Sequence, residues 1–262
     1  MMRAALAMLA GGLIAAAAPA PANAATIWAL DAAGGLARID ANTRKAMPAM
    51  MVKGVDGALL SIAVRPADGK LYGLTAKGQL VTIDPATAMA TQVSKLDKPL
   101  EMGPRTTINF NPVVDRLRVV SRNGGNWRIH PDTGAVTVDG GLKYAADSAY
   151  SDAKPMVTTG AYSNHFAGTK ETALYTLDTK LGLMNVQAPP NDGVQQPRGR
   201  LNLTVPASAG FDILADGQGG NTGFVVAGGA LHSIDIKTGQ MATLGRIAGL
   251  SGKDVVSIAV TK

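Results

Sequence analysis

The sequence predicts an all-β chain that closes on itself as a single β-propeller of five blades, its C-terminal strand completing the N-terminal blade. Three observations carry this expectation. A short motif, an apolar residue followed by an acid or other polar residue and a tight turn, begins at Ile39, Ile83, Ile129, Leu177 and Ile234; the spacings of 44, 46, 48 and 57 residues suit units of four short strands. Apolar residues around these turns alternate with a period of two, and long runs of helical period are missing. Near the C-terminus, Ser257-Ile258-Ala259-Val260 repeats Ser61-Ile62-Ala63-Val64, the opening strand of the second unit, whereas the first unit lacks such a strand. Pairing the two ends closes the ring and removes two exposed sheet edges, which would otherwise template association. A β-sandwich or a linear β array would also show regular short strands, but neither calls for a unit divided between the two termini.

Taken in order, residues 1–24 read as a secretory signal peptide. Arg3 gives a positive start, an uncharged Ala- and Leu-rich run follows, and Ala22-Asn23-Ala24 is a small-x-small cleavage site. The run is shorter than the roughly 20 residues a membrane-spanning helix requires, and no lipid-attachment cysteine follows it. Residues 25–262 are expected to form the propeller, exported to the periplasm or secreted. The first unit runs through residues 26–30, a Gly34-Gly35 turn and residues 36–40. The second has strands at 61–66, 70–74 and 79–84, with a hairpin turn at Ala67-Asp68-Gly69. The third repeats this at 107–112, 116–121 and 126–130, and the fifth at 210–214, 223–227 and 230–235. The fourth is irregular: residues 158–163 form a strand, but no distinct second strand is visible before 174–178, and residues 144–152 suit a short helix or a loop. Asp in the turn motif accepts hydrogen bonds from backbone N–H groups two or three residues on, and Pro85 and Pro131 fix φ.

Composition excludes several functions. With no cysteine, thiol catalysis and thiolate metal sites are ruled out, and burial and sheet hydrogen bonds must hold the core. The formal charge of +6 comes without a Lys/Arg run or recognition module, so no nucleic-acid partner is expected. No further apolar run is long enough to span a membrane, and a monomer is expected.

Two blocks carry a family resemblance. One is Asn109-Phe110-Asn111-Pro112-Val113-Val114-Asp115-Arg116-Leu117-Arg118-Val119-Val120-Ser121, followed by Asn126-Trp127-Arg128-Ile129-His130-Pro131-Asp132-Thr133-Gly134. The other comprises Tyr162-Ser163-Asn164, Pro189-Pro190-Asn191-Asp192-Gly193 and Ala209-Gly210-Phe211-Asp212-Ile213. Together they resemble the bacterial family known as domain of unknown function 4394. The resemblance implies an exported, propeller-like protein and supplies no catalytic residues. Thr107-Ile108 before Asn109 departs from the Gly-Phe-Asp type of start expected there, which weakens any binding role for Asn109.

Propellers bind ligands on a face or in the axial channel, beside the innermost strands. If the first strand of each unit is innermost, the polar residues there are Arg65, Asn109, Asn111, Asn164, Asp212 and Thr261, a mostly neutral set. The ligand-binding candidates are Asn111, Arg118, Asn164, His165 and Asp212. Asn111 and Asn164 equally suit local turns. Arg116, Arg118 and Arg122 share a strand face by period two; they form either an anion-binding stripe or ion pairs with Asp115, Asp132 or the next blade. Trp28 and Trp127 read as packing anchors between blades, with sugar stacking the lesser reading.

No residue is assigned to catalysis or to a metal, and no cofactor is expected. A glycosidase pair is not visible, because Glu101 and Glu171 fall in loops and Asp212 is the only acid on a predicted inner strand. His130, His165 and His232 lie too far apart for a local metal motif, and Asp192-Gly193 and Asp216-Gly217 read as turns rather than calcium loops. There is no Gly-x-Ser-x-Gly elbow, phosphate loop or dinucleotide fingerprint. The expected function is therefore a binding or scaffolding propeller whose partner is a small molecule, a glycan or a protein. The alternative is a metal-assisted hydrolase or lactonase with Asp212, Asn111, Asn164 and His165 around a cation in the channel.

Overall fold

In the computed structural model, residues 25–103, 105–250 and 254–262 are described; the expected signal peptide lies outside them. The chain forms five small sheets, one per blade, and the only helical element among the described residues is a 3-10 turn at Pro190–Asp192. From the axis outward, blade 2 comprises Leu59–Val64, Leu71–Thr75, Gln79–Asp84 and Met89–Lys95. Blade 3 comprises Thr106–Asn111, Arg116–Ser121, Asn126–Ile129 and Val136–Val138. Blade 5 comprises Gly210–Ala215, Asn221–Ala227, Ala230–Ile234 and Met241–Arg246.

Blade 1 is built from both ends of the chain. Val255–Thr261 lies innermost, beside Thr26–Asp31, then Gly35–Asp40 and the short outer strands Lys45–Ala46 and Met50–Met51. The pairing is antiparallel, with Thr26 opposite Thr261 and Trp28 opposite Ala259. The five inner strands touch in ring order: Val255–Thr261, Leu59–Val64, Thr106–Asn111, Val157–Tyr162, Gly210–Ala215 and back to the first.

Blade 4 departs from the repeat. Leu174–Asp178 is its second strand, followed by Leu183–Gln187 and Val194–Arg200. The turn motif at Leu177-Asp178 therefore closes the second strand, whereas in the other blades it closes the third. The residues after Tyr144 make turns rather than a helix, and Lys143–Tyr144 adds a parallel edge strand against Val194–Arg200.

Polar side chains on the inner strands tie the ring together. Each blade lends one side-chain oxygen to a backbone N–H of the next. Ser257 accepts from Ile62, Ser61 from Ile108, Asn109 from Tyr162, Thr159 from Phe211, and Asp212 from Val260, at 2.8–3.2 Å. The fifth bond returns to blade 1 and completes the circuit. Asn109 also donates to Asp212 at 3.2 Å, linking blades 3 and 5. Buried polar groups are tolerated at this depth because they are hydrogen-bonded.

Apolar clusters join four of the five pairs of neighbouring blades, with ion pairs from Arg65 to Asp115 and Asp132 beside the one between blades 2 and 3. Phe224, Val226 and Leu231 meet Ile27, Ile39 and Ile258 between blades 5 and 1. Comparable clusters join blades 4 and 5, blades 2 and 3 with Trp127, and blades 1 and 2 with Trp28 at the edge. Between blades 3 and 4 the cluster of buried apolar residues shrinks to Val120, Leu142 and Val157.

Candidate functional site

The remainder of the blade 3–4 interface is polar. Strand Arg116–Ser121 turns Arg118 toward blade 4, and the register places Arg128 of the neighbouring strand directly opposite it. Two like charges facing each other across a sheet repel, unless an anion is placed between them. Asp139 provides it. Its Oδ2 accepts from Arg118 Nη1 at 2.5 Å and from Arg128 Nε at 2.8 Å, and its Oδ1 accepts from Arg128 Nη2 at 2.9 Å. The Arg128 guanidinium is held above its ordinary pKa, chiefly by its hydrogen bonds to Asp139.

Arg118 is 3% exposed and the Asp139 side chain 4%, so this is a buried ion pair. Such a pair offsets its desolvation only when its remaining donors are satisfied. Arg118 also donates to Asn126 Oδ1, to Asn191 Oδ1 and, more loosely at 3.4 Å, to the Tyr162 hydroxyl. The network continues inward. Gln187 donates to Asn126, Gln195 to Gln187, and the Thr176 hydroxyl to Gln195. A chain of buried polar side chains thus runs from the groove into the middle of blade 4.

The loop carrying Asn191 docks on blade 3. Gly140 N–H donates to the Asn191 carbonyl, Lys143 N–H to the Gly193 carbonyl, and Asn126 to the carbonyls of Gly140 and Pro190. Gly193 has φ 69°, and a Cβ there would fall 2.4 Å from the backbone oxygens of Gly140 and Gly141. Only glycine fits both the conformation and the contact.

Above Arg118 the groove opens as a cavity of about 190 Å³ lined by Asn111, Arg116, Arg118, Arg128, Tyr162 and Asn191, among others. Arg116 donates only to the carbonyls of Val114 and Asp115. Asp139 thus bonds two of the three guanidinium groups, Asp132, itself paired with Arg65, lies within electrostatic reach of Arg116, and the groove keeps unused N–H donors on Arg116 and Arg128. Its chemistry suits an anionic group held by charge-assisted hydrogen bonds.

Of the residues singled out from sequence, the structure brings Asn111 and Arg118 together at this cavity. Asn111 also caps its own turn, accepting from Val113 and Val114 N–H. Arg122 is not part of the stripe: it follows Ser121 at the far end of the strand from Arg116. Asn164, with φ 50°, forms a reciprocal pair with Asn221 of blade 5. His165 meets the Phe110 carbonyl; burial pushes its pKa down to about 4, and its shielded Nε2 has no hydrogen-bond partner. Asp212 is 1% exposed, and burial pushes its pKa up to about 7 against the hydrogen bonds from Val260, Ile213 and Asn109. Asn111, Asn164, His165 and Asp212 thus each have their own hydrogen-bond partners. Among the described residues, no group of three or more His, Cys, Asp or Glu could hold a metal ion.

The residues missed at the sequence level are Asn126, Arg128, Asp139, Tyr162 and Asn191. Arg128 and Asn126 required the cross-strand register, Tyr162 the neighbouring blade, and Asp139 and Asn191 the path of two loops. The signals in the sequence were the blocks that carry the family resemblance, which include Asn126, Arg128, Tyr162 and Asn191 but not Asp139.

The fold and this groove define a five-bladed β-propeller with a polar, arginine-lined groove between blades 3 and 4. The chain belongs to the family described as domain of unknown function (DUF4394), whose profile matches residues 35–259. No curated protein matches it. Among solved structures it is similar to a structural genomics protein of unknown function from Bacteroides thetaiotaomicron VPI-5482, at 13% identity and TM-score 0.51, over 77% of this chain and 54% of that one. An auxiliary nutrient binding protein from Bacteroides ovatus ATCC 8483 matches at 14% identity and TM-score 0.44, over 76% of this chain and 55% of that one. A protein of unknown function from Bacteroides caccae matches at 10% identity and TM-score 0.41, over 87% of this chain and 74% of that one. The chain thus spans about half the length of the first two, and at 13% identity the first likeness is one of fold.

Proposed function

We propose that this chain is an exported binding protein without catalytic activity, and that it holds a small molecule by an anionic group in the groove between blades 3 and 4. The class of ligand is a carboxylate, sulfate or phosphate carried on a larger body, since a cavity of about 190 Å³ takes the charged end of a molecule rather than a whole drug-sized one. The observation that carries this reading is the set of Arg116, Arg118 and Arg128 lining one cavity, of which Arg118 and Arg128 are bonded to Asp139 and Arg116 only to backbone carbonyls, where the apolar cluster between blades shrinks to three residues. Arg118 and Asp139 act as a fixed floor, and Arg116 and Arg128 supply donors at the mouth. Fixing the floor in advance lowers the ordering cost of binding.

Calorimetric titration of the purified chain with glucuronate, citrate and inorganic phosphate tests the reading. At least one should bind, more weakly as salt is raised, and Arg116→Ala should weaken it by roughly tenfold, the effect of losing one charge-assisted hydrogen bond. If none of the three binds, or if Arg116→Ala leaves affinity unchanged, the groove is a structural ion-pair site and the reading fails.

A further inference from the structure

We propose that the groove between blades 1 and 2 is a second, independent site that binds a neutral saccharide, with Trp28 as its stacking surface. Equivalent positions in successive blades hold different residues. Ser61-Ile62-Ala63-Val64-Arg65 at the end of one inner strand matches Ser257-Ile258-Ala259-Val260-Thr261 at the end of another. Register confirms the match: Tyr72 lies opposite Ala63, and Trp28 opposite Ala259. Trp28, Tyr72 and Arg118 therefore hold the same place in blades 1, 2 and 3, each facing the following blade.

What fills the three grooves differs. Between blades 2 and 3, Arg65 extends from the inner strand under Tyr72. It pairs with Asp115 and Asp132 of blade 3, donates to the Tyr72 hydroxyl at 3.2 Å, and lies 5.8 Å from that ring's centre. Its pKa is raised, above all by the hydrogen bond to Asp115. The groove is occupied by the protein's own guanidinium. Between blades 1 and 2, the position of Arg65 is taken by Thr261. In the matching segments Asn111–Arg116 and 65–70, Asp115 corresponds to Gly69; in the turn motifs, Asp132 corresponds to Ala86. The plug and both of its counter-ions are missing together.

The result is an open cleft of about 540 Å³, within the range of small-molecule sites. Trp28, Leu71 and Ile83 give it an apolar wall, and Thr82, Thr91 and Thr261 bring hydroxyls to it. The Trp28 indole N–H and these three hydroxyls have no hydrogen-bond partner among the described residues. Lys70 and Asp84 stand at the rim, one of each sign. Asp84 is held below the usual carboxylate range, first by the Ala86 N–H and then by Thr87, so it remains an acceptor. An aromatic face beside unpaired neutral donors and acceptors, with balanced charge, matches a sugar ring, whose C–H face is apolar and whose edge carries hydroxyls. The same surface offers an anion no net attraction, which separates this site from the groove at Arg118.

Tryptophan fluorescence of the whole chain, titrated with maltotriose, cellotriose and chitotriose, tests the proposal. At least one trisaccharide should change the emission saturably, and Trp28→Phe should remove most of that change. Thr261→Arg, which puts the counterpart of Arg65 back into the groove while leaving Trp28 in place, should weaken binding by roughly tenfold or more. Circular dichroism and melting would show that both variants are folded. The proposal is overturned if no trisaccharide alters the emission, if Thr261→Arg binds as tightly as the parent chain, or if glucuronate competes better than the neutral sugars.

Discussion

At the scale of single residues, two titratable groups, one buried and one partly buried, pull stability in opposite directions with pH. Asp212 has a folded pKa of about 7 against 3.8 when exposed. The folded chain keeps a proton there that the unfolded chain has released, so this group's contribution falls as pH rises from about 4 to 7. His165 has a folded pKa of about 4 against 6.5. The unfolded chain takes up a proton that the folded chain refuses, so this contribution is lost as pH falls from about 6.5 to 4. Each slope is at most ~1.4 kcal/mol per pH unit, and the two oppose each other across the shared window. Urea denaturation should give the parent chain a nearly level stability between about pH 4.5 and 6.5. His165→Gln should expose a stability that declines with rising pH, and Asp212→Asn one that increases with it. Asp212→Asn should also cost about 1–3 kcal/mol, because the amide nitrogen, unlike either carboxyl oxygen, cannot accept the hydrogen bond from Asn109 or Val260. Equal pH profiles for all three proteins would contradict this account.

At the scale of elements, the loop from Ala188 to Gly193 decides whether the groove is formed. It places Asn191 on Arg118, and Pro190 over Asn126 and Gln187. Gly193→Ala should lower stability by more than ~1 kcal/mol, through its positive φ and its collision with blade 3. It should also weaken anion binding by moving Asn191, whereas Gly182→Ala should cost stability without affecting binding. Gly182 has a similar positive φ of 64°, and no atom lies within 4 Å of where its Cβ would sit. An unchanged affinity for Gly193→Ala would show that the loop does not shape the site. Strands were readable from sequence because alternation and turn chemistry are local. Blade 4 was harder because its motif copy closes a different strand, so equal spacing did not mean equal position. The site was less readable still: Asn111 and Arg118 stood out by residue type, but Arg128, Asp139 and Asn191 reach Arg118 only through register and loop path. Asp212 drew attention as the single inner acid, and its place in the ring of side-chain-to-backbone bonds depends on contacts between residues far apart in sequence.

At the scale of the whole molecule, closure is what gives the grooves their identities. With five blades around one axis, each second strand faces the next blade at the same height, and a single residue there sets what the groove contains. Tyr72 covers an internal ion pair, Trp28 borders an open cleft, and Arg118 anchors a polar floor. The closing strand Val255–Thr261 contributes both to the ring and to the Trp28 cleft. The repeat made the ring readable; the departures from the repeat are where ligand chemistry is proposed. The most direct measurement is a crystal structure of the chain grown in glucuronate. The expected result is a carboxylate in the groove between blades 3 and 4, within hydrogen-bond distance of Arg116 and Arg128. A groove in which Arg116 instead folds back onto Asp139, with no ligand above Arg118, would contradict the account.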